Sequence, residues 1–69
     1  MPLSMAPIGE RFIIKKITGK DEIRQHLAEL GFVIGTSVMV VNSISGNLII
    51  QVKECRVALN KDMASRIII

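Results

Sequence analysis

The segment Leu27-Ala28-Glu29-Leu30-Gly31-Phe32 constrains this chain more than any other part of it. Ile23, Leu27 and Leu30 recur at i, i+4 and i+7, which aligns them as one apolar stripe of a helix. Gly31 then stops that helix, because a glycine just past the end takes the left-handed conformation without a Cβ clash. In that arrangement the next residue folds back onto the last turn, so Phe32 is expected to pack on Leu27. At the other end Asp21 is placed to cap the helix by accepting a hydrogen bond from a first-turn amide. Glu22 there suits the positive end of the helix dipole. The spacing predicts one short α-helix over about 21–30, locked at its C-terminus, with Leu27, Leu30, Gly31, Phe32 and Gly35 as its structural motif.

The rest of the chain reads as extended. Residues 1–9 carry two prolines and a glycine and form an expected extended lead-in, tucked through Met5 and Ile8, ahead of a single domain over 10–69. Glu10 to Ile17 is rich in β-branched residues and predicts a strand, in which adjacent Ile13 and Ile14 imply partial burial on both faces. Thr36 to Asn42 and Leu48 to Lys53 flank the turn cluster 43–47 and predict a hairpin. Glu54-Cys55 bends the chain into a short strand, Arg56 to Leu59. Asn60 caps a helical turn near 61–64, and Arg66 to Ile69 makes a terminal strand. About five strands and one helix in 69 residues leave too little chain to cover an open sheet on both faces. The sheet is therefore expected to curl into a small barrel, mostly β, which removes its edges. Terminal Ile67-Ile68-Ile69 is a candidate for edge-to-edge pairing in a weak homo-oligomer.

Charge and cysteine usage narrow the function. Net charge is +3, but Arg11, Lys15, Lys16, Lys20, Arg24, Lys53, Arg56, Lys61 and Arg66 are dispersed among Glu10, Asp21, Glu22, Glu54 and Asp62. No block of like charge forms. Phe12 and Phe32 are the only aromatics, too few for the stacking platforms of single-strand binders. Nucleic acid is not an expected partner. The single cysteine, Cys55, cannot form an internal disulfide and fits a reducing compartment. The first eight residues lack the charge and apolar run of a signal peptide, and no apolar run approaches the ~20 residues of a membrane span. The expectation is a cytoplasmic protein with no direct insertion into membrane.

At this point the residues carry a family resemblance. Leu27-x-x-Leu30-Gly31-Phe32, Gly35, Val38 and Val40, Val57-Ala58-Leu59 and Ala64-x-x-Ile67 resemble the ferrous iron transport protein A family (FeoA), from about Phe12 to Ile69. The resemblance implies an SH3-like barrel in the cytoplasm of a bacterium or archaeon. It also implies a partner, the membrane ferrous-iron permease with its GTP-binding domain (ferrous iron transport protein B), whose assembly or activity such a protein supports by direct contact. The chain departs from the family pattern in having Ile34 where proline is frequent, Glu54-Cys55 where a glycine and an aromatic are frequent, and Asn60 at a commonly basic position.

The chemistry-bearing residues point to binding rather than catalysis. His26, with Glu22 at i−4 and Glu29 at i+3, is a weak candidate for a divalent transition metal; a solvated helix flank is the plainer reading. No cofactor is otherwise expected. Cys55 has no second thiol at ligand or redox spacing, no serine or cysteine is arranged with His26 for nucleophilic attack, and the glycines make no phosphate-cradling loop. The protein is not expected to be an enzyme. With no Trp or Tyr, it lacks the aromatic groove that SH3 domains use for proline-rich peptides. Leu27, Met39 and Met63 are the candidate docking residues, on the argument that the helix leaves one end of its stripe open and that methionines adapt to contact surfaces. Two alternatives remain: a metal-linked regulatory domain like the SH3-like barrel of iron-dependent repressors, and a small RNA-binding barrel, which a strong salt dependence of affinity would reveal.

Overall fold

Local turn chemistry sets the order of elements. The computed structural model of the protein describes all residues, 1–69. It contains a 3-10 turn at Leu3–Met5, β1 (Arg11–Ile13), β2 (Lys16–Ile17), α1 (Asp21–Glu29), β3 (Ser37–Ile44), β4 (Asn47–Val52), β5 (Cys55–Asn60), α2 (Lys61–Ala64) and β6 (Ile67–Ile68). One sheet has the antiparallel order β1-β3-β4-β5 and the other pairs β2 with β6. The β3–β4 hairpin turns through Ser45 and Gly46, both at positive φ (50° and 81°), the conformation that matches the twist of the flanking strands. The β4–β5 hairpin also closes in two residues, Lys53 and Glu54, with Lys53 at φ 55°, one residue earlier than the expected bend at Glu54-Cys55, because Cys55 already pairs with Val52. The glycine frequent in the family is therefore not needed to make this bend.

The expected mostly-β, SH3-like form is what the chain adopts, but the sheet keeps edges that the expected closure would have removed, β1 and β5 ending the four-stranded sheet, and two further details differ. Strands number six in two sheets rather than five in one. The single strand predicted over 10–17 is broken at Ile14-Lys15, where the Ile14 N–H bonds to the Thr36 carbonyl (3.0 Å) and the Lys15 N–H to the Ile68 carbonyl (2.8 Å). That crossing from one sheet to the other turns Ile14 into the core and leaves Ile13 about half exposed (53%).

The helix end is built as the glycine implied. The Phe32 N–H donates to the Leu27 carbonyl (2.9 Å), the Gly31 N–H donates to the Ala28 carbonyl (3.0 Å), and Gly31 sits at φ 104°. These two bonds define the Schellman closure, and both Leu27 and Phe32 are fully buried. The helix start differs from expectation. Lys20 is the N-cap, with extended backbone and no side-chain cap, because its carbonyl accepts the first helical bond from the Arg24 N–H (3.0 Å). Asp21 is already inside the helix and pairs with Arg24 one turn on. At α2 the predicted cap is present: the Asn60 side chain accepts from the Met63 N–H (2.8 Å).

Thirteen residues form the core, all hydrophobic and all in one cluster. The sheet supplies Val38, Val40, Leu48, Ile50, Val52 and Leu59, covered by Leu27 and Phe32 from the helix end. Residues 1–9 contribute more than an extended lead-in. Leu3 is fully buried in the 3-10 turn, whereas Met5 and Ile8, the expected anchors, are exposed at 70% and 58%. Pro2 bridges to Ile68, and Met1 and Ile69 exchange backbone hydrogen bonds (3.1 and 2.8 Å). β6 thus has β2 on one side and Pro2 on the other, so the edge proposed for pairing through Ile67-Ile68-Ile69 is occupied within the chain. No helix is long and apolar enough to cross a membrane.

Candidate functional site

The docking residues expected from sequence do not come together. Leu27 has no accessible surface, since the closure at Gly31 draws the end of the stripe inward, and a partner cannot touch it. Met39 lies on the opposite face of β3 from buried Val38 and Val40, in a cross-strand row with Arg11, Gln51 and Arg56. Met63 is half-buried and packs against the core from α2. Glu22, His26 and Glu29 are each exposed on α1, and no group of three or more His, Cys, Asp or Glu side chains converges to hold a metal ion. Cys55 is exposed at the start of β5.

A different apolar surface stands beside the helix. The loop between Gly31 and Gly35 sends Phe32 into the core but leaves Val33 and Ile34 exposed at 40% and 68%. Backbone sterics impose this arrangement. Gly35 takes φ 91°, the Thr36 N–H bonds to the Val33 carbonyl (3.1 Å), and the Gly35 N–H bonds to the Ile14 carbonyl (2.9 Å). A positive φ at the third residue of such a turn is the type II form, with Ile34 at its apex.

These two residues, with Ile17 and Ala28, make the apolar wall of an open groove of about 380 Å³, beneath which lies the buried Phe32; Asp21, Arg24 and Gln25 form its polar rim. Because Asp21 and Arg24 pair with each other, the rim carries little net charge. An apolar groove with a neutral rim suits burial of an aliphatic or aromatic side chain. Each apolar side chain fully covered there contributes about 1.5–3 kcal/mol. Sequence reasoning missed Val33 and Ile34. The signal was present: two bulky residues share a five-residue segment with Phe32 between glycines, and a turn this tight can direct only part of its side chains inward.

Comparison with known proteins follows the same fold. The sequence model of the FeoA domain family matches residues 1–69. A relative from Methanocaldococcus jannaschii, provisionally named Fe(2+) transport protein A, is 32% identical over 68 residues, covering 99% of this chain and 83% of the relative. The crystal structure of an iron uptake regulatory protein (FeoA) superposes with a TM-score of 0.88 at 35% identity, over 96% of this chain and 88% of that one. Stenotrophomonas maltophilia FeoA, solved with zinc and described as a procaryotic SH3 domain protein, gives 0.86 at 31% identity, over 99% and 87%. A manganese-dependent transcriptional repressor shares the fold alone: TM-score 0.86 at 16% identity, with this chain spanning 39% of its length.

Proposed function

The chain belongs to the FeoA domain family of ferrous iron transport, and on that premise we propose that it is an accessory protein acting in the cytoplasm by docking onto the membrane ferrous-iron permease. The single observation that carries this reading is the groove beside α1 with Val33 and Ile34 held outside the core. Val33 and Ile34 stand on a turn whose backbone is already fixed by hydrogen bonds, so a partner that covers them loses less conformational entropy on binding than one that must order a free loop. The groove takes an apolar side chain projecting from the permease's cytoplasmic part, and the contact supports assembly or regulation of the permease rather than chemistry on a substrate.

The test is capture of the permease's cytoplasmic GTP-binding part by the wild-type protein, Val33→Glu and Ile34→Glu, with circular dichroism on each. Expected is retention by the wild type and loss by both variants at unchanged fold. Equal retention by folded Ile34→Glu sinks the groove as the docking site. No retention by the wild type sinks the partner.

A further inference from the structure

The strand β5 presents an unused hydrogen-bonding edge, and we propose that it takes an extended acidic segment of another protein as an added strand. The β4–β5 ladder is regular from Val52↔Cys55 to Asn47↔Asn60, with no bulge, and no strand lies on the far side of β5. A two-residue hairpin makes the pair flanking its turn, Val52 and Cys55, exchange hydrogen bonds. By alternation Cys55, Val57 and Leu59 bond to β4, while the N–H and C=O of Arg56 and Ala58 point away from it. The β3–β4 hairpin leads to the same assignment, since Asn47, Ile49 and Gln51 face β3 and leave Leu48, Ile50 and Val52 for β5. None of the backbone bonds outside the regular elements, and no side-chain bond, involves residues 55–59.

Exposed edges are usually blunted by proline, a bulge or a covering segment. This chain does so at β6, which Pro2 covers; β5 has no proline, bulge or covering segment, and the one charge that guards it is that of Arg56. Cys55, Arg56, Ala58 and Asn60 are all exposed. Charge selects the occupant. The protein carries a net +3; along this edge Lys53, Arg56 and Lys61 outnumber Glu54 and Asp62, and Arg56 makes no ion pair. A strand with a carboxylate beside Arg56 gains a cross-strand charge pair in addition to the main-chain bonds. A second copy of the chain brings the same excess of cations to the contact. The surface is separate from the groove, so the proposal stands whether or not the groove binds the permease.

Backbone amide exchange followed by NMR tests it, with a short N-acetylated peptide of alternating valine and glutamate as the probe and its lysine counterpart as the control. Expected is a slowing of exchange at the Arg56 and Ala58 amides by about tenfold at saturating glutamate peptide, with no such slowing by the lysine peptide. Ala58→Pro removes the outward N–H without touching the β4 ladder, a change tolerated on an edge, and is expected to abolish the effect. Arg56→Glu is expected to reverse the peptide preference and carries the test if Ala58→Pro does not fold. Unchanged exchange at residues 56 and 58, or a response confined to Val33 and Ile34, overturns the proposal. So does slowing at the same amides on raising the protein's own concentration without peptide, which assigns the edge to pairing between copies.

Discussion

Phe32 and Ile34 come from one five-residue loop and are of similar hydrophobicity, yet one is fully buried and the other 68% exposed. The difference lies in the backbone. Gly31 bends the chain so that Phe32 returns over the last helical turn and bonds to Leu27, whereas Gly35 bends it again and leaves Ile34 at the apex of a turn pinned to Ile14. Apolar character therefore does not by itself send a side chain inside; the left-handed turns on either side decide which of three consecutive apolar residues can reach the core. The same loop thus yields a structural residue and a candidate contact residue.

The largest blow to this contrast is Phe32→Ala. A cavity of that size costs about 3–5 kcal/mol, and a domain of this length has only about 3–10 kcal/mol in all, so denaturant unfolding should show most of the stability gone. Gly31→Ala comes next. The added Cβ would meet Val52 at an ordinary 3.5 Å, so its cost is the strain of φ 104°, about 1–2 kcal/mol, read as a lowered urea midpoint. A midpoint equal to wild type would mean that the closure at Gly31 does not hold Phe32 in place. Ile34→Pro sharpens the contrast from the other side. Its N–H has no backbone partner and the turn position accepts proline, so a gain of about 0.4–1 kcal/mol is expected, together with loss of docking as the exposed side chain is shortened. Ile34→Glu should have the smallest effect on folding, within about 0.5 kcal/mol; a larger loss in thermal unfolding would place Ile34 with the core rather than the surface.

What could be read in advance follows the range of the interactions. The helix, its termination at Gly31, the fold-back of Phe32, the hairpin turns and the Asn60 cap depend on hydrogen bonds between residues a few positions apart, and residue type at those positions is enough to expect them. The candidate site was less legible. The docking set Leu27, Met39 and Met63 rests on the helix stripe for Leu27 and on residue type for the methionines, but Leu27 is enclosed, Met39 is on the outer sheet face and Met63 packs on the core. Their relative positions depend on which faces of distant elements meet, and periodicity within one element is silent on that.

The sequence by itself determined that a short glycine-terminated helix is followed by alternating strands, and its motifs were sufficient to suggest the family. Only the tertiary structure decided that the first strand breaks between two sheets, that Leu3 completes the core, that Pro2 covers β6 while β5 stays open, and that Val33 and Ile34 flank a groove. The division has one physical cause. Turns and caps are satisfied within a few residues of chain, whereas burial and edge coverage are settled by segments such as 1–3 and 67–69, which meet only when the whole chain has closed on itself.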